Sequence, residues 1–190
     1  LSVDATVSDV LPYFRPDVGS KITVHHLLTH TSGLPNYTAM PNFFPDASRD
    51  PHEVKEFVTS FCSGDLEFEP GSKFRYSNSG YFVLGAIIEQ VSGESYEQQL
   101  RGRILEPLEL HDTGYDHGAE IIERRAAGYQ RTGNGYRNAP YLDMTAPYAA
   151  GALYSTVEDL LRWDQALYGD TLLSVAGKAK MFEPFLDDYA

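Results

Sequence analysis

Apolar residues recur three and four positions apart along several stretches of the chain, a spacing that places them on one face of an α-helix. The clearest stretch carries Val54, Phe57, Val58 and Phe61. Asp50, Pro51 and Glu53 precede it. They predict where the helix begins, because aspartate caps a helix, proline suits its first turn and glutamate reaches back to the cap.

A longer stretch predicts a central helix, which carries Tyr81, Leu84, Ile87, Ile88 and Val91. Gly93 follows where a left-handed residue commonly ends a helix, and Ser95 with Gln98 has the capping-box spacing of the next helix. Nearer the N-terminus, Thr23 can cap a short helix that has Gly33 beyond its end. That helix carries Val24, Leu27 and Leu28.

Two more helices are predicted towards the C-terminus. Ser155 and Glu158 form a capping-box pair at the start of the first. Its expected inward positions are Val157, Leu160, Leu161 and Leu167. Ser174 predicts the start of the last helix, and Pro184 predicts its end because proline cannot continue a helix.

The helical spacing fails between residues 114 and 150, where segments 126–131 and 135–138 predict short strands or a hairpin. A length of 190 residues suits one domain. We therefore predict a single α-rich domain over residues 1–190, with a few short strands and a loop-rich or weakly β segment over residues 114–150.

Charge and composition narrow the classes of function. The chain has 15 basic and 27 acidic residues and a net charge of −12. Binding to nucleic acid phosphates needs a basic surface, so no nucleic-acid partner is expected. No apolar run approaches the ~20 residues that a helix needs to span a membrane. The single Cys62 excludes an internal disulfide and a four-cysteine zinc site.

Two histidines have the spacing of a metal site. His26 and His30 are four positions apart and would share one helical face. The zinc-protease motif needs a glutamate directly after the first histidine, where this chain has Leu27. His111 or Asp112 could be proposed as a third ligand, but no spacing indicates either. We expect His30 to bond the helix end and the turn after it, with no metal or cofactor.

Tyr76, Ser77 and Asn78 lie in a loop that leads into the central helix. A tyrosine phenol is a poor base alone, since its ordinary pKa is near 10. Lysines beside it would favour the phenolate, which could then accept a proton from a serine. An asparagine two positions on could hold a substrate amide. Without further context, the three residues favour an ordinary helix start capped by Ser77 or Asn78.

A serine nucleophile is not indicated. The G-x-S-x-G and Lys-Thr-Gly motifs are absent, and no lysine has a serine three positions before it. Ser174 is four positions before Lys178, one step from the Ser-x-x-Lys spacing. With 27 acidic residues along the chain, no particular carboxylate pair is indicated for glycoside hydrolysis.

Several segments, in order along the chain, resemble the serine β-lactamase, DD-peptidase (penicillin-binding protein-like) and esterase superfamily, nearest its class C-like branch. Residues 22–35 are similar to the I-T-I-x-x-L-L-x-H-T-S-G-L segment, and residues 74–81 to the Tyr-x-Asn loop. Residues 105–114 and 150–160 are similar to the P-L-G-M-x-x-T and G-G-L-x-S-T-x-x-D-L segments. Residues 1–12 are similar to the L-x-L-D-D…L-P stretch.

The resemblance implies an α/β sheet domain and a helical domain with the active site between them. It also implies a Ser-x-x-Lys nucleophile, a Tyr-x-Asn element and a Lys-Thr-Gly or His-x-Gly strand, of which this chain has only the second. We therefore expect the middle of a longer bacterial enzyme, mostly its helical region, with the sheet domain largely missing. By resemblance, Tyr76 would be the general base and Asn78 would hold the substrate amide, with Ser77 between them.

The expected parent reaction is acyl transfer on a small-molecule or peptide substrate: a β-lactam, a D-Ala-type peptide or an ester. The isolated chain is expected to be inactive, because the nucleophile and its lysine are missing. The alternative is a non-catalytic binding or interaction module on the same scaffold. Exposed helix faces predict either a homodimer or partial disorder, and the resemblance implies a periplasmic, envelope or secreted location.

Overall fold

The computed structural model describes residues 1–186, and within them it is mostly helical with two small antiparallel sheets. The α-helices are α1 (Val7–Val10), α2 (Pro16–Gly19), α3 (Val24–Leu28), α4 (Val54–Phe61), α5 (Asn78–Ser92), α6 (Tyr96–Leu100), α7 (Val157–Tyr168) and α8 (Val175–Met181). A π-helical segment, Arg101–Leu105, follows α6 directly. Short 3-10 turns are Tyr37–Ala39, Ala47–Arg49 and Tyr148–Ala150. The predicted α-rich fold is confirmed, and residues 187–190 of the predicted domain lie outside the described residues.

The four strands form one short pairing and one hairpin. They are β1 (Gly114–Tyr115), β2 (Tyr129–Thr132), β3 (Gly135–Asn138) and β4 (Leu153–Tyr154). β1 pairs with β4, while β2 and β3 form a hairpin in which Tyr129 lies opposite Asn138. The predicted hairpin is confirmed, although its first strand begins three residues later than segment 126–131. None of the helices within residues 1–186 is both long and apolar enough to span a membrane.

Helix α5 is the centre of the hydrophobic core. Its buried side chains include Phe82, Val83, Ala86 and Ile87. The ring of Phe57 on α4 stacks on Phe82 with centroids 4.2 Å apart, and the buried Tyr37 ring meets Phe57 edge-on at 5.0 Å. Such aromatic pairs add to the free energy of area burial. Because α5 begins at Asn78, this core also fixes the position of the loop before it.

Most of the predicted helix ends are confirmed. Thr23 and His26 form the capping box of α3, and Ser95 and Gln98 form that of α6. Gly93 ends α5 with a φ of +73°, the left-handed conformation that glycine adopts without strain. The Ser174 hydroxyl likewise caps α8.

The predicted start of α4 is wrong. Glu53 is the residue that precedes the helix, and Asp50 instead ends the 3-10 turn Ala47–Arg49. Asp50 has an extended backbone with a ψ of 147°. The physical reason is Pro51, because a residue before proline is driven out of the helical region.

The predicted cap and orientation of α7 are also wrong. The Thr156 hydroxyl accepts from the Asp159 N–H and caps the helix, while the Ser155 hydroxyl lies 2.8 Å from that of Thr113. The side chains expected to face inward are largely exposed: Val157 75%, Leu160 54% and Leu161 56%. Within the described residues, nothing covers this face of α7.

A buried carboxylate holds α7 in place instead. Asp159 accepts hydrogen bonds from the Asp112 N–H and the Thr113 hydroxyl, each at 2.8 Å, and pairs with Arg162 at 2.5 Å. Burial raises the pKa of the Asp159 carboxyl, but these hydrogen bonds outweigh burial and lower it below its ordinary value. The segments around residues 112 and 159 are thereby joined by charge-assisted bonds, which are stronger than neutral ones.

Helix α5 packs closely against the 3-10 turn Tyr148–Ala150 through a glycine. A methyl group on Gly85 would overlap the side chains of Tyr148 and Ala149. The backbone at Gly85 is helical, a conformation that any residue can adopt. Glycine is therefore needed here only because there is no space for a side chain.

We expect Gly85→Ala to lower the free energy of unfolding by about 1–3 kcal/mol, the usual cost of overpacking a core. The measurement is urea denaturation followed by circular dichroism. Gly102→Ala is the matched control, because nothing lies within 4 Å of an added methyl there and alanine favours a helix. Equal stability of the two variants would contradict this account of the contact.

Candidate active site

The Tyr76-Ser77-Asn78 loop lies directly at the N-terminus of α5. Ser77 occupies the cap position with an extended backbone, but its side chain makes no capping hydrogen bond. The Ser77 side chain is buried, and its hydroxyl has no hydrogen-bond partner among the described residues. Ser77 is therefore the cap residue, as predicted, but it does not make the side-chain hydrogen bond that is typical of a cap.

Tyr76 and Asn78 present their polar groups together. The Tyr76 hydroxyl donates to Asn78 Oδ1 at 3.1 Å, and the Tyr76 side chain is 55% exposed. Since the two residues are separated only by the buried Ser77, the phenol and the amide oxygen lie on the same open side of the loop. The structure thus brings together the two residues that the sequence singles out.

The Asn78 amide is fixed by a neighbouring segment. Asn78 Nδ2 lies 3.3 Å from both Asn36 Oδ1 and Thr38 Oγ1, and the Asn78 backbone N–H donates to the same Asn36 oxygen at 3.2 Å. These contacts occupy the Asn78 amide nitrogen, and the Asn78 amide oxygen Oδ1 faces Tyr76. Asn36 and Thr38 were not predicted; only the position of Asn36 directly after residues 22–35 could have drawn attention to it.

His30 supports the loop from beneath. Its Nδ1 accepts the Ser77 N–H at 3.2 Å, and its ring lies between those of Tyr76 (4.6 Å between centroids) and Tyr81 (4.8 Å, stacked). The His30 backbone N–H does reach Leu27 at the end of α3, at 3.4 Å. The expectation that His30 bonds the helix end and the following turn is therefore incomplete. Its ring accepts a hydrogen bond from the Tyr76 loop and packs against it.

The protonation state of His30 follows from this contact. Nδ1 can accept a hydrogen bond only in the neutral tautomer that carries its proton on Nε2. Burial lowers the pKa of the His30 imidazole and so favours the neutral ring. His30 is thus a positioning residue, held neutral by its surroundings.

The histidines do not assemble a metal site. His26 Nδ1 accepts the Thr23 N–H, and the Asp112 backbone is bound to Asp159. Within residues 1–186, no group of three or more histidine, cysteine, aspartate or glutamate side chains could hold a metal ion.

The turn after His30 anchors the strand-like segment that carries Tyr76. The Gly33 carbonyl accepts from the Glu67 N–H at 2.9 Å, and the His30 carbonyl accepts from the Arg75 N–H at 2.8 Å. Gly33 has a φ of +76°, and a methyl group there would overlap the Phe68 carbonyl. This glycine is therefore required twice, by its backbone conformation and by the close approach of residues 67–68.

The helical frame agrees with the fold implied by the resemblance to the serine β-lactamase, DD-peptidase and esterase superfamily. The family model described as Beta-lactamase matches residues 1–187. The chain belongs to the Beta-lactamase family.

Known relatives support this assignment. Penicillin-binding protein 4* of Bacillus subtilis (strain 168) is 35% identical over 184 residues, which cover 86% of this chain and 39% of that protein. A D-stereospecific amidohydrolase from Streptomyces sp. has a TM-score of 0.84 at 28% identity, covering all of this chain and 60% of its own. An octameric penicillin-binding protein homologue from Pyrococcus abyssi has a TM-score of 0.78 at 30% identity, with coverages of 97% and 44%.

The chain therefore spans about two fifths to three fifths of the length of these relatives. The predicted fold class, a mainly helical part of the β-lactamase-like fold, is confirmed. The predicted extent of a single domain over residues 1–190 stays a prediction.

We expect the free energy of unfolding to fall as the pH drops below about 6.5, the ordinary histidine pKa in an unfolded chain. The folded pKa values of His30 and His26 are lowered, so below that pH the unfolded chain binds more protons than the folded one. Urea denaturation between pH 7.5 and 5.5, above the carboxylate range, measures the slope.

In His30→Asn, the free energy of unfolding should depend less steeply on pH, and the pH dependence that remains should be due to His26. Asparagine can still accept a hydrogen bond and tolerates the left-handed backbone of position 30, whose φ is 55°. Tyr76→Phe is the control, because it keeps the ring against His30 and should keep the slope. A slope unchanged in His30→Asn would show that this histidine is not the titrating group.

Proposed function

We propose that this chain supplies the Tyr-x-Asn part of an acyl-transfer site in a serine hydrolase of the Beta-lactamase family. The single observation that carries the proposal is the pairing of the exposed Tyr76 hydroxyl with Asn78 Oδ1 at 3.1 Å. The substrate class is a β-lactam, a D-Ala-type peptide or an ester. The names of two relatives, a penicillin-binding protein and a D-stereospecific amidohydrolase, support this class.

In this proposal Tyr76 exchanges a proton with a nucleophilic serine. Acid–base catalysis of this kind requires the phenol within hydrogen-bond reach of the reacting group. The exposed side of Tyr76 leaves that approach open, while its ring packs against His30, which itself stacks on Tyr81. His30 therefore acts by positioning Tyr76.

Asn78 holds the substrate in this proposal. Its Nδ2 already contacts Asn36 and Thr38, so the group that faces the open side is Oδ1, a hydrogen-bond acceptor. An acceptor at this point suits the N–H of an acylamino substituent next to the reacting carbonyl. The donor that now occupies Oδ1 is the Tyr76 hydroxyl, which can turn towards a nucleophile when substrate binds.

The polypeptide of residues 1–190 is proposed to be inactive alone. Acyl transfer needs a nucleophile activated by an adjacent base, and the sequence contains no Ser-x-x-Lys. Among the described residues, no lysine hydrogen-bonds or ion-pairs with Tyr76, so the cationic surroundings that favour a phenolate are not assembled.

Intact-mass measurement after incubation with excess β-lactam, and separately with a reactive phosphonate ester, should show no adduct on the folded chain. Hydrolysis of a chromogenic β-lactam should stay at the uncatalysed rate, and circular dichroism would confirm folding. A stoichiometric adduct on one serine, or a turnover that Tyr76→Phe abolishes, would overturn the proposed inactivity.

The role of Tyr76 is tested by expressing the chain with its flanking coding sequence. If that sequence supplies Ser-x-x-Lys, Tyr76→Phe should lower kcat/KM by about 10²–10⁴, the usual contribution of a general base. Tyr81→Phe is the matched control on the other side of His30. A flanking sequence without Ser-x-x-Lys would favour the alternative, a non-catalytic binding module.

We also propose that two copies of the polypeptide pair through the exposed face of α7. Three adjacent apolar side chains on this helix are more than half exposed, an arrangement that marks interaction surfaces. The Pyrococcus abyssi relative is described as octameric, which supports self-association in this family.

Light scattering should therefore give a dimer mass at high micromolar concentration, and Leu160→Glu should return it to a monomer. Ile121→Glu is the control, because Ile121 is 95% exposed and lies outside α7. A monomer at every concentration would contradict the pairing.

A further inference from the structure

A groove of about 470 Å³ lies between the segment of residues 44–49 and the β2–β3 hairpin. Its lining includes Phe44, Pro45, Arg49, Gln130, Arg137 and Pro140. The two walls are joined nearby, because the Ser48 carbonyl accepts the Asp143 N–H at 2.8 Å. The groove thus has a defined position in the fold although its walls are a loop and a hairpin.

Two arginines give the groove a local positive charge in an acidic chain. Five other arginines of the described residues are paired with carboxylates: Arg15, Arg75, Arg101, Arg125 and Arg162. Within residues 1–186, neither Arg49 nor Arg137 forms such a pair, and both line this groove. Arg103, Arg124 and Arg131 also form no such pair within residues 1–186, so what distinguishes Arg49 and Arg137 is that both line one groove.

One of these guanidinium groups is held in a fixed orientation. Arg137 Nε and Nη2 donate to Gln130 Oε1 at 3.1 and 2.9 Å. Gln130 and Arg137 lie directly opposite each other in the hairpin register, so their side chains share one face. The bond to a neutral amide fixes the guanidinium plane without cancelling its charge.

Apolar surface adjoins the charge. Phe44 is 57% exposed, and Pro45 and Pro140 line the groove with it. Guanidinium groups recognise carboxylates by paired hydrogen bonds, and an exposed aromatic ring binds the apolar part of a ligand. A ligand that satisfies both features is an anion that carries an apolar group.

We propose that this groove binds the carboxylate of an organic acid, with Arg49 and Arg137 on the carboxylate and Phe44 against the apolar part. This inference goes beyond the proposed acyl transfer and does not depend on it.

The test is a calorimetric titration of the folded 190-residue chain with N-acetylphenylalanine at low salt. We expect saturable one-to-one binding, and at least tenfold weaker binding of the uncharged N-acetylphenylalanine amide. Arg49→Gln and Arg137→Gln should each weaken the binding of the acid about tenfold. Circular dichroism would confirm that both variants fold.

Arg131→Gln is the matched control. Arg131 is exposed on the same hairpin, one position from Gln130 and therefore on its opposite face, so its loss should leave the affinity unchanged. Tyr76→Phe should also leave it unchanged, which separates this site from the proposed acyl-transfer site. The proposal fails if acid and amide bind equally, if Arg131→Gln or Tyr76→Phe weakens binding as much as Arg137→Gln, or if phenyl phosphate binds more tightly than the carboxylate.

Discussion

One hydrogen bond between distant parts of the chain determines the geometry of the candidate site. The Ser77 N–H donates to the ring of His30, 47 positions away in sequence, at 3.2 Å. The Arg75 N–H and the Asn78 N–H also hold this stretch of backbone, and without the bond to His30 the buried Ser77 N–H between them would have no partner. Such a bond contributes about 0.5–1.5 kcal/mol, but leaving one partner buried and unpaired costs more. The histidine must therefore stay neutral for the loop to stay in place.

A distant polar group also satisfies hydrogen-bond donors in the C-terminal part of the chain. Asp159 accepts the Asp112 N–H and the Thr113 hydroxyl, and it joins α7 to the segment before β1. His30 works as a neutral acceptor and Asp159 as an ionised one. Their pKa values are lowered for different reasons, burial for the histidine and hydrogen bonding for the carboxylate. The lowered pKa of His30 favours the neutral ring near neutral pH, and the lowered pKa of Asp159 keeps its carboxylate ionised at a lower pH than usual.

Features that depend on residues a few positions apart were predictable from the sequence, and features that depend on distant contacts were not. The capping boxes at Thr23 and Ser95 and the glycine that ends α5 follow from local spacing, so they were found. The partners of Asn78 lie about 40 positions away, and no periodicity encodes them. Spacing also shows that one face of α7 is apolar, but it does not show what covers that face. The prediction that this face points inward was therefore wrong. The Tyr-x-Asn element was found by resemblance, because three residues at a helix start have no distinctive pattern.

The bonding of the loop explains how the groups of the proposed acyl-transfer site are held in place by residues of this chain. The polar atoms that would otherwise need a neighbouring domain are satisfied inside the chain: the Ser77 N–H by His30, and the Asn78 N–H and Nδ2 by Asn36 and Thr38. What stays open is the exposed phenol of Tyr76 with the amide oxygen beside it. These are the groups that act on other molecules in the proposed reaction. The atoms that hold the loop in place are therefore different from the atoms that take part in the proposed reaction.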